Sequence, residues 1–176
     1  MEFSEGLEKI GAHAFTRSGI ESIVLPSSTR VISGCAFACC EHLRSVRLNE
    51  GLEALGIEEQ YDEEVFKGRI FAGTRVESVT IPSMLKVIEP SVFEECKGVK
   101  RIELMDGRET FGKDLGLWNK MFCDGKVEEI VFPSTLKDMP PDLFMNCTHL
   151  KTVREPDGYD IDFIELLNLF LSIPRE

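Results

Sequence analysis

One pattern of apolar residues recurs six times along the chain and constrains the fold more than any other feature. Each copy has a phenylalanine that lies eight or nine residues before an apolar residue of a short strand, and the two distances alternate strictly. Repeats of this length cannot bury their own apolar side chains, but stacked in phase they share one continuous core. The pattern predicts a solenoid whose unit is a pair of repeats, with a spine formed by Phe15, Phe37, Phe71, Phe93, Phe122 and Phe144.

The strand after each phenylalanine is marked by two apolar residues three positions apart. Odd repeats then close with apolar-Pro-Ser at Pro26, Pro82 and Pro133. Proline withholds a backbone N–H and ends a strand, whereas a glycine at the close of an even repeat allows a turn with positive φ. These signals predict parallel strands along one face, with the apolar pairs Ile20 and Ile23, Leu43 and Val46, Val76 and Val79, Val99 and Ile102, Val127 and Ile130, and Leu150 and Val153 pointing inward.

A further apolar residue lies five positions before each phenylalanine, and we expect these residues in the core. They are Ile10, Ile32, Phe66, Ile88, Leu117 and Met139. The spacing of the strands is 23 residues except at two places, where it grows to 33 and 28. The sequence therefore predicts inserts near 57–69 and 106–120.

The even repeats carry Cys40, Cys96 and Cys147 at one equivalent position. Cysteines two repeats apart are about 10 Å apart, beyond the limit of about 7 Å between the Cα atoms of a disulfide. We therefore expect reduced core thiols, which fit a cytoplasmic chain, or a cell-surface or secreted one if the chain is a trimmed fragment. The first residues show neither the basic start nor the apolar run of a signal peptide.

The pattern Ile-x-x-x-Ala-Phe-x-x-Cys-x-x-Leu-x-x-Val-x-Leu, clearest from Ile32 to Leu48, resembles the BspA-like class of leucine-rich repeats. The resemblance covers nearly the whole chain. It implies an α/β solenoid, a right-handed superhelix with a parallel concave sheet over residues 1–158, and a role in adhesion or protein–protein binding.

The last residues match no repeat. From Asp160 to Ile173 the apolar residues Phe163, Leu166, Leu167 and Phe170 recur at helical spacing, with Asp160 or Asp162 as the cap. We predict a helix within residues 159–176 that caps the last repeat, the alternative being a self-association helix. At the other end, Met1 to Leu7 offers little to cover the first repeat.

The outward strand positions are the candidate binding residues. One position per repeat alternates in charge and would form a ladder of cross-strand pairs, which we favour over a ligand strip: Glu21, Arg44, Glu77, Lys100, Glu128 and Lys151. The next outward position is mixed and partly apolar. We predict protein contacts there, at Val24, Arg47, Thr80, Glu103, Val131 and Arg154. Trp118, in the second insert, is a candidate hot spot, the alternative being that it packs against its own insert.

Composition excludes several classes of function. The net charge of -11 opposes nucleic acid and anionic membranes, and no apolar stretch approaches the roughly 20 residues that span a bilayer. No motif for catalysis, a cofactor or a metal is present, and His42 and His149 occupy one equivalent turn position. The sequence thus predicts a non-enzymatic module that binds another protein through its concave face and inserts. The alternative is a structural or self-assembling spacer or adhesion unit, joined through its N-terminal edge or C-terminal helix.

Overall fold

The computed structural model describes residues 3–61, 64–66, 68–96, 98–107, 126–136, 147–154 and 160–161. Within these ranges the chain forms short strands and one turn of 3₁₀ helix, Pro90–Phe93, but no α-helix, so the expected α/β solenoid is here a β-solenoid. The strands are β1 Lys9–Ile10, β2 Ser22–Val24, β3 Val31–Ser33, β4 Ser45–Arg47, β5 Ala54–Ile57, β6 Glu59–Tyr61, β7 Glu64–Phe66, β8 Ser78–Ile81, β9 Val87–Ile88, β10 Arg101–Leu104, β11 Glu129–Val131, β12 Thr152–Arg154 and β13 Asp160–Ile161.

The predicted parallel strands are found on one face of the solenoid. Strands β8, β10, β11 and β12 pair in parallel, β2 pairs in parallel with β4, and β4 lies against β8. The register aligns the predicted inward residues of neighbouring coils, so that they share one core. The aligned residues are Ile23 with Val46, and Val79 with Ile102, Ile130 and Val153.

A second parallel sheet, in the order β1-β3-β5-β9, is built from the position five residues before the phenylalanines. Its register aligns Ile10, Ile32, Leu55 and Ile88, all of them buried. The prediction that Phe66 fills this place in the third repeat is therefore wrong, because Leu55 occupies it. The prediction failed because the insert begins after Leu55, so that Leu55 lies more than five residues before Phe71.

The first insert leaves and rejoins the coil through two glycines. Gly56, at φ +80°, lies at a bulge of β5, and its carbonyl accepts a hydrogen bond of 2.9 Å from the N–H of Gly68. Between them β6 and β7 pair as an antiparallel hairpin. A Cβ on Gly68 would lie 1.9 Å from Ser91 Oγ, so the base of the hairpin has no room for a side chain.

The phenylalanines form the predicted spine as far as the structure describes it. The rings of Phe15, Phe37, Phe71 and Phe93 stack with centroids 5.5, 6.3 and 6.2 Å apart. The three later rings of this stack are fully buried. Phe122 and Phe144, as well as Leu117 and Met139, lie outside the described residues.

The N-terminal end of the spine is covered, contrary to expectation. Phe3 packs edge-on against Phe15 with ring centroids 5.4 Å apart, and Leu7 packs against the core. Beneath them Ile10 and Ile23 are buried. The first residues therefore act as a cap, which their repeat phase did not suggest.

A carboxylate links each Pro-Ser segment to the preceding coil, a contact that we did not predict. Glu5 accepts hydrogen bonds of 3.1 Å from both the backbone N–H and the hydroxyl of Ser27. These bonds lower the pKa of Glu5. Two equivalent clamps follow along the chain, from Ser83 to Glu50 and from Ser134 to Asp106. The serines after the prolines thus hold consecutive coils together.

The predicted C-terminal helix is not supported at its start. Asp160–Ile161 is strand β13, which pairs antiparallel with β12 so that Ile161 lies opposite Val153. The strand β12 would otherwise leave its backbone groups unpaired at this edge, and pairing there takes priority over helical propensity. Residues 162–173, including Phe163, Leu166, Leu167 and Phe170, lie outside the described residues.

The cysteines divide into two groups. Cys40 and Cys96 are buried free thiols, as predicted, and Cys40 Sγ donates to the carbonyl of Phe15 at 2.9 Å. Burial raises the pKa of Cys96 to about 12. Cys147, however, is disulfide-bonded, so the expectation of a reduced thiol there is wrong. The separation of equivalent positions excludes a disulfide only among Cys40, Cys96 and Cys147 themselves.

Candidate protein-interaction surface

The outward side chains of β2, β4, β8, β10, β11 and β12, with the charged residue that precedes each strand by one position, form a surface that we call the strand face. The six predicted contact residues lie in one row of it. The register places Val24 beside Arg47, and aligns Thr80, Glu103, Val131 and Arg154. Trp118 and most of the second insert lie outside the described residues.

The N-terminal half of the strand face, on β2, β4 and β8, is open. Val24 is 41% exposed, and Arg47 and Thr80 are also exposed. The other outward side chains of these strands are the serines Ser22, Ser45 and Ser78. Arg47 makes no ion pair with any residue that the structure describes. This half therefore exposes Val24, Arg47 and Thr80 to solvent.

The C-terminal half, on β10, β11 and β12, is closed by its own ion pairs. Glu129 lies between Arg101 and Arg154, with an Nη1–Oε1 distance of 2.5 Å to the first and 3.5 Å to the second. Glu103 also lies 3.4 Å from Arg101. The hydrogen bond to Glu129 raises the pKa of Arg101. These charges already have partners before any ligand arrives.

Val131 differs from the prediction for its row. Its side chain is only 4% exposed, so it is not available for contact as an outward residue would be. In the register it is a short side chain between the longer Glu103 and Arg154. The row is therefore exposed at Val24 and Arg47 and buried at Val131.

The charge ladder is paired at one place among the described residues. Lys151 Nζ lies 2.7 Å from Glu128 Oε2, and this bond lowers the pKa of Glu128. Elsewhere the backbone joins ladder neighbours: the N–H groups of Arg44 and Lys100 donate to the carbonyls of Glu21 and Glu77, and that of Glu128 donates to the carbonyl of Lys100. The ladder thus balances charge along the sheet and leaves its members to solvent.

The strand face has a different charge from the rest of the chain. Its three outward positions per strand hold six basic and five acidic side chains, a net of +1 against -11 for the whole sequence. The basic residues are Arg44, Arg47, Lys100, Arg101, Lys151 and Arg154, and the acidic ones are Glu21, Glu77, Glu103, Glu128 and Glu129. An acidic protein with one balanced face presents that face as its least repulsive approach to an anionic partner.

Other parts of the described structure carry less chemistry. An open, mostly polar depression lies beside the turn after Phe15 and is lined by Arg17, Ser18, Gly19, Cys39, Glu41 and His42. Within the described ranges there is no cluster of three His, Cys, Asp or Glu side chains suited to a metal ion. A search of those same ranges finds no helix with the length and apolar character needed to cross a membrane.

Solved structures of other repeat proteins are similar to this chain at low identity. A leucine-rich cell surface protein from Faecalibacterium prausnitzii A2-165 is 21% identical, with a TM-score of 0.45, over 89% of this chain and 31% of its own. A leucine-rich repeat protein from Bacteroides ovatus ATCC 8483 is 17% identical, with a TM-score of 0.34, over 84% of this chain and 58% of its own. The chain thus spans less than two thirds of either structure.

Sequence profiles identify the family. No curated protein matches the chain significantly. The profile of the BspA type leucine-rich repeat region matches with six copies, over residues 1–61 and 64–161. These spans include every strand described above and confirm the resemblance that the repeat pattern indicated. The chain belongs to the BspA type leucine-rich repeat family.

Proposed function

We propose that this chain is a non-enzymatic module that binds another protein through its strand face. The observation that carries the proposal is the contrast between the two halves of that face. Arg101 and Arg154 are held by acidic neighbours, whereas Val24 and Arg47 are exposed and Arg47 has no carboxylate partner among the residues that the structure describes. A folded domain gains nothing in stability from an exposed valine beside an unpaired arginine, whereas such residue types are common at protein interfaces.

Matched substitutions on the two sheets test this function. Val24, on β2, and Val87, on β9, are valines with exposures of 41% and 52%, and they belong to different sheets. Short random peptides displayed on phage would be selected on the immobilised chain, and the selected peptides titrated against both variants. We expect Val24→Glu to weaken binding about tenfold or more and Val87→Glu to leave it unchanged. Equal binding to both variants would refute a role for the strand face.

The spacer alternative is weaker at both proposed joints. Phe3 and Leu7 pack over the N-terminal end, and Asp160–Ile161 pairs as a strand. Sedimentation over a range of concentrations separates the two functions, because a self-assembling unit grows with concentration. A concentration-independent mass supports the binding module, and growth that Phe3→Ala alters would favour assembly through this end.

The proposed setting is an oxidising one, outside the cytoplasm. The cytoplasmic expectation rested on reduced thiols and finds no support, since Cys147 is disulfide-bonded. Disulfides persist in secreted and cell-surface proteins and are rare in the cytosol. Alkylation of the protein as isolated from its source would leave Cys147 unlabelled until reductant is added, and prompt labelling would place the chain in a reducing compartment.

A further inference from the structure

We infer that the partner of the strand face presents an acidic segment in extended conformation, and that the carboxylate of an aspartate or glutamate in that segment binds Arg47. The inference rests on the proposed function and names the chemistry that the open half of the face would recognise.

Arg47 is electrostatically isolated within its surroundings. In the two outward rows carried by β2, β4 and β8 it is the only charged side chain, since its companions are three serines, Val24 and Thr80. Its aligned neighbour is Val24, and no carboxylate of the described residues lies within ion-pair distance. An exposed guanidinium without a carboxylate in reach has its planar donors free for a bidentate pair with a carboxylate.

The neighbours of Arg47 suit the rest of such a segment. Serine and threonine hydroxyls both donate and accept hydrogen bonds, so Ser45, Ser78 and Thr80 can pair with either group of a peptide backbone. Val24 adds an exposed apolar contact beside the charge. The paired strands β2 and β4 lie about 4.8 Å apart and β8 lies against β4, so a segment that crosses all three strands needs at least about three residues of extended chain.

The closed half of the face explains why the site lies where it does. A carboxylate arriving at Arg101 or Arg154 would compete with Glu129, which lies within 3.5 Å of both guanidinium groups.

Arg44 is exposed like Arg47, but the ladder positions on either side of it are Glu21 and Glu77. Arg47 is the arginine of the strand face at which an incoming carboxylate meets no acidic neighbour.

The test uses the phage-selected peptides and two arginine variants of the full chain. We expect selection to enrich peptides with aspartate or glutamate next to an apolar residue. Arg47→Ala should weaken their binding about tenfold or more, and added NaCl should weaken binding to the wild type more than to this variant. Arg17→Ala is the control, an exposed arginine in the turn after Phe15 and outside the strand face, and should leave affinity within about twofold.

The outcomes separate this inference from the function on which it rests. Peptides that lose affinity with Val24→Glu but not with Arg47→Ala would leave the strand face as the binding surface and overturn the acidic anchor. Peptides that are indifferent to both substitutions would overturn both proposals. Selection of basic peptides would also contradict the inference, because it would point to the acidic inserts instead.

Discussion

The inward side chains of this solenoid are nearly the same in every coil, whereas the outward side chains of the strand face change from one half to the other. Inside, Phe15, Phe37, Phe71 and Phe93 repeat one ring at one place. Outside, the row begins with the exposed Val24 and Arg47, whereas further along it Val131 is buried between the ion-paired Glu103 and Arg154. The repeated core stabilises the fold, and we propose that the strand face, which departs from the repetition, is the surface that recognises a partner.

The largest expected effect lies inside the solenoid, at the stacked rings. Phe93→Ala removes a fully buried ring that stacks on Phe71, and the cavity should lower the free energy of unfolding by about 3 to 5 kcal/mol. Chemical denaturation measures the loss. Val87→Ala, an exposed change in the nearby strand β9, should shift it by less than about 0.5 kcal/mol. Equal midpoints for the two variants would contradict the account of the spine.

The disulfide should have the next largest effect. Cys147→Ser should lower the free energy of unfolding by about 2 to 4 kcal/mol, since the unfolded chain then loses a covalent constraint. Added reductant should bring the wild type to the same stability. The control is Cys39→Ser, which replaces an exposed free thiol and should change little. Stability of the wild type that does not respond to reductant would contradict the bond.

The closed half of the strand face should depend on Glu129. Glu129→Ala leaves two partly buried arginines without their shared carboxylate, at a cost of about 1 to 2 kcal/mol in unfolding free energy. Glu128→Ala, which breaks the more exposed pair with Lys151, should destabilise the chain less than Glu129→Ala does. Equal unfolding free energies for the two variants would show that the ion pairs of Glu129 do not stabilise the C-terminal half of the strand face more than an exposed pair does.

The carboxylate clamp at the N-terminal end should respond to acid. Hydrogen bonds from Ser27 lower the pKa of Glu5 below its ordinary value of 4.5. A depressed pKa contributes stability above pH 4.5 that is lost as the pH falls through the lower value of the folded state. NMR titration of the Glu5 carboxyl carbon measures this pKa. The amide signal of Ser27, which donates to Glu5, is a second readout, and Glu5→Gln is its control because the variant has no carboxyl group to titrate. A titration at or above 4.5 would show that the clamp is absent.

The smallest effect on stability should come from Arg47, which we propose as the anchor for a partner. Arg47→Ala removes an exposed side chain that makes no ion pair in the described structure, so unfolding should change by less than about 0.5 kcal/mol. Its peptide affinity should nevertheless fall. A variant that unfolded much more easily would show that Arg47 supports the fold rather than a partner.

The sequence predicted those features that are repeated. The strand positions from Ile23 to Val153 and the spine from Phe15 to Phe93 follow from spacing alone, because stacked coils must bury the same positions. The second sheet and the serine clamps were missed, although the acid before each glycine and the serine after each proline were visible signals. Both depend on contacts between coils, which the pattern of a single repeat does not contain.

The features that break the repeat were predicted least well. Phe66 was assigned to the core because the count from the next phenylalanine ignored where the insert begins, and Leu55 occupies that place. Val131 was assigned to the surface because its row faces outward, although its neighbours in this half have long side chains. The proposed site around Arg47 also depends on neighbouring coils, because it requires that the adjacent strands place no carboxylate beside the arginine. The sequence of a single repeat does not contain this information.

The central claim, that the strand face is the surface that binds a partner, is tested most directly by photo-crosslinking. A photoreactive amino acid would replace Val24 in one variant and Val87 in another, and each would be irradiated with the selected peptides. The account predicts a covalent adduct at position 24 and none at position 87. An adduct at position 87 alone would show that the partner binds the opposite sheet and would contradict the claim.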